Sequence, residues 1–73
     1  MQKRLNEIIK KYKSIIQMHG FYVDEKVNTV YFDLIFNFDE KHPETIVRQI
    51  KNEIKKEFPQ YNYNVIIDTD FSE

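Results

Sequence analysis

Cysteine is absent from this chain, glycine occurs once and proline twice. Without cysteine there is no disulfide, no thiolate metal site and no thiol nucleophile, an absence that fits a cytoplasmic protein. One glycine cannot build a phosphate-cradling loop. The same shortage of glycine and proline leaves little room for linkers, and the sequence holds no internal repeat or low-complexity tract. Apolar runs last only a few residues, so no segment reads as a bilayer span, and no secretory signal is present. An excess of either charge is lacking too. The 11 basic and 12 acidic residues leave a net charge of −1, which supplies no overall pull toward nucleic acid or a membrane surface. Ser14 falls on the polar side of a predicted helix and Ser72 in the tail, so neither is placed as a nucleophile. The chain reads as a non-enzyme with no organic cofactor and no small-molecule substrate.

What is present is aromatic and branched. Thr29 to Asp39 alternates, with Val30, Phe32, Leu34, Phe36 and Phe38 on one side and Thr29, Tyr31, Asp33, Ile35, Asn37 and Asp39 on the other. Strand side chains point to opposite faces in turn, so this is a central strand with one apolar face and one mixed face. A face with three phenylalanines needs a covering layer. At 73 residues the chain is one domain, 1–73. A domain of this size buries only about 60% of its unfolded surface, so a metal or a partner subunit is a common support.

The cover is predicted on both sides of that strand in sequence. Leu5, Ile8, Ile9, Tyr12, Ile15 and Ile16 make the stripe of an amphipathic helix over residues 2 to 19, ended by Gly20 with His19 in the last turn. Phe21 to Asp24 reads as a short strand and Glu25 to Asn28 as a turn with Asn28 suited to a left-handed backbone, giving an antiparallel hairpin with Thr29 to Asp39. Pro43 and Glu44 open a second helix, with Ile46, Val47, Ile50, Ile54 and Phe58 as its apolar stripe and Pro59 as its stop. Tyr61 to Asp70 alternates again, with Tyr61, Tyr63, Val65 and Ile67 on one face. A strand–helix–strand passage of this length predicts a right-handed crossover and parallel strands. The expected fold is an α+β open two-layer sandwich in the order helix, strand, strand, helix, strand. It is similar to a ferredoxin-like fold lacking its first strand, with both helices on one face of a three-stranded mixed sheet. The opposite face, with Tyr31, Asp33, Ile35, Asn62, Ile66 and Asp68, has no cover in the chain and is a candidate dimer surface.

Chemistry concentrates in few residues. Asp68 and Asp70 lie two apart on one strand face, where their carboxylates can converge on a cation or simply face solvent at a strand end. Oxygen donors with an imidazole suit magnesium, manganese, iron or zinc in different mixtures. His19 and His42 adjoin predicted helix ends and read as caps, surface residues or ligands. Asp33 is either solvated or paired across a subunit interface. The lysines of the first helix raise an RNA-binding reading, but Glu7 interrupts them and only Tyr31 and Tyr22 are placed as exposed stacking aromatics.

The helix running into His19-Gly20, the strand from Phe32 to Asp39, the Glu57-Phe58-Pro59 helix end and the run Val65-Ile66-Ile67-Asp68-Thr69-Asp70 stand in an order that resembles a known family. It is the cytoplasmic C-terminal domain of cation diffusion facilitator transporters, the efflux family for zinc and related divalent cations. The resemblance covers nearly the whole chain. It implies a regulatory homodimer on the cytoplasmic side of the cell membrane, attached to a membrane-embedded transporter portion outside this chain. It also implies metal (zinc, manganese or iron) bound at or near the dimer interface, and no nucleic acid. The family's last strand reads apolar, apolar, His, any, Asp, Pro, against Ile66, Ile67, Asp68, Thr69, Asp70, Phe71 here. Asp70 therefore falls on the family's acidic ligand, Asp68 replaces its histidine, and His19 falls on the histidine before the first strand. The family's second-strand histidine falls on Ile35, which has no donor atom, and Glu44 or His42 stands in for the ligand of the longer second helix. A metal site of Asp68, Asp70 and His19 is poorer in nitrogen than the usual zinc site, which loosens the preference for zinc. The rival expectations are a metal-independent homodimerisation module and a small RNA-binding domain.

Overall fold

The computed structural model describes residues 1–70; Phe71 and Ser72, named above, lie outside the described residues. The elements run α1 (Gln2–Ile9), β1 (Ile15–Asp24), β2 (Thr29–Asn37), α2 (Pro43–Glu57) and β3 (Asn62–Asp70). The sheet order is β1-β2-β3, with β1 antiparallel and β3 parallel to β2. Leu5, Ile8 and Ile9 of α1 and Val47, Ile50 and Ile54 of α2 share one buried cluster with Val30, Phe32, Leu34 and Phe36 of β2. Both helices thus roof the same face of a mixed sheet, the α+β sandwich expected from the alternation of β2. Among the described residues no helix is long and apolar enough to cross a membrane.

The second half follows its sequence signals closely. Pro43 opens α2, Glu44 sits in the first turn, and Lys55 and Lys56 in the last favour the negative end of the helix dipole. The α2 approach is tied down by Glu40, whose carboxylate accepts the His42 backbone N–H at 2.9 Å. That bond, then one from the Ser14 hydroxyl, holds the Glu40 carboxyl below its usual range. Tyr63 on β3 is buried, and its hydroxyl donates to the Phe58 carbonyl at 2.9 Å just past the helix end. Asn28 adopts the left-handed backbone the turn requires, φ 48°.

The first half departs from expectation. The predicted helix over 2 to 19 stops at Ile9, and residues 10 to 14 form tight turns, with Lys11 N–H bonded to Ile8 O and Tyr12 N–H to Ile9 O. Ile15 and Ile16 then belong to a strand, which starts well before the predicted Phe21. The reason is two register shifts in β1, between Ile15 and Gln17 and between His19 and Tyr22. Each inserts one residue into the strand. Core-facing side chains therefore fall at Ile15, Met18, Phe21 and Val23, spaced by three, three and two. A twice-bulged strand imitates the step of a helix. What decides for the strand is that β2 would otherwise expose its hydrogen-bonding edge beside Asp33 to Phe36. At eight residues, α1 is too short to persist alone and is held by Leu5, Ile8 and Ile9. The ion pairs Arg4–Glu57 at 2.7 Å and Lys11–Glu53 at 3.1 Å add exposed, solvent-screened links to α2.

Two further corrections concern single residues. Phe38 is 66% exposed, not part of the apolar face. The strand ends at Asn37, whose carbonyl accepts the Glu40 N–H at 3.0 Å, and this turn carries Phe38 away from the sheet. Gly20 is not a helix cap. It lies at the second bulge with φ +64°, a glycine-type bulge. A Cβ there would sit 3.5 Å from Asp33 Oδ2, ordinary contact, so the cost of a side chain is in the backbone. Gly20→Ala is expected to lower stability by about 1–2 kcal/mol, and Gly20→Asn by less because asparagine tolerates this conformation. Urea titration of the three proteins checks the order.

Candidate functional site

The uncovered face of the sheet is where the chain's chemistry gathers. The strand registers arrange it in rows across β1, β2 and β3: Tyr22, Tyr31, Asn64; His19, Asp33, Ile66; Gln17, Ile35, Asp68. Asn37 and Asp70 form the next step of the β2–β3 ladder. The central line of Tyr31, Asp33 and Ile35 is half-buried by its neighbours, whereas Tyr22 and Ile66 are 59% and 58% exposed. Tyr22 and Tyr31 pack ring to ring at 6.1 Å, tilted by 31°, a favourable geometry for an aromatic cross-strand pair. The face therefore mixes an apolar seam with the acids Asp33 and Asp68.

The sequence-predicted metal residues fall at different places on this face. His19 is exposed on β1 and level with Asp33, not at a helix end. Asp68 is exposed on β3, level with Ile35, and its Oδ1 accepts the backbone N–H of Thr69 at 3.1 Å. Asp70 is half-buried one step further along the same side. His19 and Asp68 are two strand spacings apart, about 10 Å, and offset along the strands by about 7 Å. One chain does not bring His19, Asp68 and Asp70 onto a single ion. Among the described residues no three of the histidines, aspartates and glutamates form a group fit to hold a metal. Within one chain the donors fit a cation only in part, through carboxylates, so a closed coordination shell needs donors from elsewhere. His42 is exposed at the start of α2 and Glu44 is exposed in its first turn, both away from the open face.

The adjacency of His19 and Asp33 was not evident from the one-dimensional pattern. Their pairing depends on where the bulge at Gly20 resets the register: without it, every residue from His19 back to Ile15 would turn to the other side. The signal was a lone glycine, which within a strand pattern suggests a bulge and after a helical pattern a cap. Sequence reasoning also passed over Arg48 and Lys51 of α2, which line a groove with Val65 and Ile67 of β3. No family model matches this chain, and neither does any curated protein.

Proposed function

We propose that this chain is a divalent-cation-responsive homodimerisation domain, the regulatory part of a metal-efflux transporter of the cation diffusion facilitator kind. The observation that carries the reading is the uncovered sheet face, on which Tyr31, Ile35 and Ile66 form an apolar seam beside Asp33 and Asp68. Apolar contact favours pairing of two such faces, while carboxylates brought together repel. A cation shared by acids of the two copies offsets that repulsion. Metal that binds the pair better than the single chain shifts the population by the difference in affinity. The partial donor set of one chain supports this reading, because the missing donors are then supplied by the second copy. When bound, the cation supplies charge compensation. Asp68 and Asp70 hold it, and the apolar seam excludes water around them. Attached to a membrane portion on the cytoplasmic side, the domain would translate ion concentration into subunit separation.

Sedimentation velocity during titration with zinc or manganese tests this. A monomer that becomes a dimer as metal is added is the expected result, and a mass unchanged up to millimolar metal overturns the proposal. A second reading, a metal-independent homodimer, is favoured by the exposure of Ile66 at 58% beside half-buried Ile35. It predicts a dimer that forms equally well with chelator present.

A further inference from the structure

Charge is unevenly spread along this nearly neutral chain. Of its 11 basic and 12 acidic residues, five basic and one acidic fall in the first 23 positions, and from Ile8 to Val23 there is no acid at all. That stretch is the end of α1, the tight turns and nearly all of β1. Between helix and strand lies a groove of about 420 Å³, with Asn6, Ile9 and Lys10 on one side, Ile16 and Met18 on the other, and Lys13 lining it from the turns. Whereas β3 runs in unbroken register with β2, the first register shift of β1 falls here, between Ile15 and Gln17. The extra residue of that bulge is Ile16, which has no partner on β2 and is 50% exposed at the groove. Lys10 keeps a helical backbone after α1, so Lys3, Asn6 and Lys10 stand on one helix face. The ammonium groups of Lys3, Lys10 and Lys13 enter no hydrogen bond or ion pair among the described residues, whereas Arg4 and Lys11 are held by Glu57 and Glu53. The acids around this groove are engaged or set apart. Glu7 pairs with Arg4 at 3.6 Å, and Glu40 accepts the His42 N–H and the Ser14 hydroxyl. Asp39 lies in the turn after β2, and Asp68 and Asp70 are on β3, two strand spacings or about 10 Å from β1.

We infer that the outer face of α1 and the bulged start of β1 form a docking surface for an anionic lipid bilayer. Lys3, Lys10 and Lys13 meet phosphate and carboxylate headgroups, and Ile16 enters the boundary with the acyl chains. Basic side chains around an exposed apolar group are the composition with which a surface element lies in a membrane interface. Chemistry selects this occupant over others. A nucleic acid would engage the lysines but gains little from covering Ile16, and the one ring at the groove, Tyr12, is half-buried rather than offered to a base. A second copy docking patch to patch would set lysine against lysine. The inference requires neither metal nor pairing through the open sheet face.

Cosedimentation with extruded vesicles, in buffer containing chelator, tests this on the unmodified protein. Phosphatidylcholine vesicles carrying about one-third phosphatidylserine bind the chain, and phosphatidylcholine alone does not. Raising salt from about 0.05 to about 0.5 M releases most of the bound protein. Lys10→Gln with Lys13→Gln weakens binding about 30-fold, at about fivefold for each charge. Ile16→Ser weakens it about fivefold, since half of that side chain is already covered. The chain has no tryptophan, so Ile16→Trp places a single reporter at the groove, and its emission moves to shorter wavelength on the anionic vesicles. All three positions are exposed, and circular dichroism checks that each variant is folded. No binding to the anionic vesicles, or equal binding to the neutral ones, overturns the inference, and both results are read on the unmodified protein. An unshifted tryptophan emission from bound protein also overturns it, because charge alone would then account for adsorption. So does tighter binding to a single-stranded oligonucleotide that Ile16→Ser leaves unchanged, which would assign the lysines to nucleic acid.

Discussion

Phe32→Ala is expected to abolish cooperative folding of this domain, while Phe38→Ala, six residues along the same alternating run, leaves the urea midpoint almost unchanged. Phe32 is fully buried at the centre of β2, where Leu5 and Ile8 from one helix and Ile50 and Ile54 from the other share its cluster. Truncating a buried phenylalanine costs about 3–5 kcal/mol, through lost transfer energy and the cavity left behind. Small domains are stable by only about 5 kcal/mol or little more, so the loss takes most of what exists. Neither layer can collapse into the gap without uncovering the other, because both helices rest on this one strand. Phe38 is 66% exposed in the turn after β2, and its truncation is expected to change stability by no more than about 0.5 kcal/mol. Urea unfolding followed by circular dichroism separates the two outcomes. A Phe32→Ala protein with a parental transition would mean that the two-layer core is wrongly placed.

The second large effect concerns association. Asp68→Ala with Asp70→Ala is expected to remove the metal dependence of dimerisation, raising the zinc or manganese concentration at half-association by more than about 100-fold. Losing even a supporting hydrogen bond around a bound metal costs about 10–100-fold, and here two carboxylate donors go together. Both positions lie at the C-terminal end of the edge strand β3, outside the buried cluster, so the fold is expected to survive the change. If the double variant still associates on addition of zinc or manganese as the parent does, these acids do not hold the ion and the cation-responsive reading fails. If the parent itself ignores metal, the acids are solvated strand-end residues.

How much of this was visible in the residues alone differs sharply between the two halves of the chain. From Thr29 onward, local signals and tertiary demand agree except at Phe38, which the turn after Asn37 carries off the sheet. Strict alternation from Val30 to Phe36, proline at the first turn of α2, proline after its end and alternation around Tyr63 all describe the element that forms. Before Thr29 they conflict. The residues from Tyr12 to Val23 place apolar groups at intervals of two and three, which a helix or a bulged strand satisfies equally well, and the one glycine fits a helix cap as readily as a bulge.

The candidate site was legible as a list of residues and illegible as a geometry. That Asp68 and Asp70 share a face of one strand follows from a period of two. That His19 stands beside Asp33, two strands from Asp68, depends on the register between β1 and β2.

By itself, then, the amino-acid order determined a phenylalanine-faced central strand, a second helix with its boundaries, a parallel final strand and a two-layer α+β architecture. Periodicity and turn chemistry are local properties that each segment carries on its own. Only the tertiary structure decided that residues 15 to 20 pair as strand, that Phe38 leaves the sheet, that His19 meets Asp33, and that one edge is bulged while the other runs straight beside Arg48 and Lys51. Those outcomes depend on which backbone edge would go unpaired and which surface would stay uncovered, quantities that exist only once the segments are brought together.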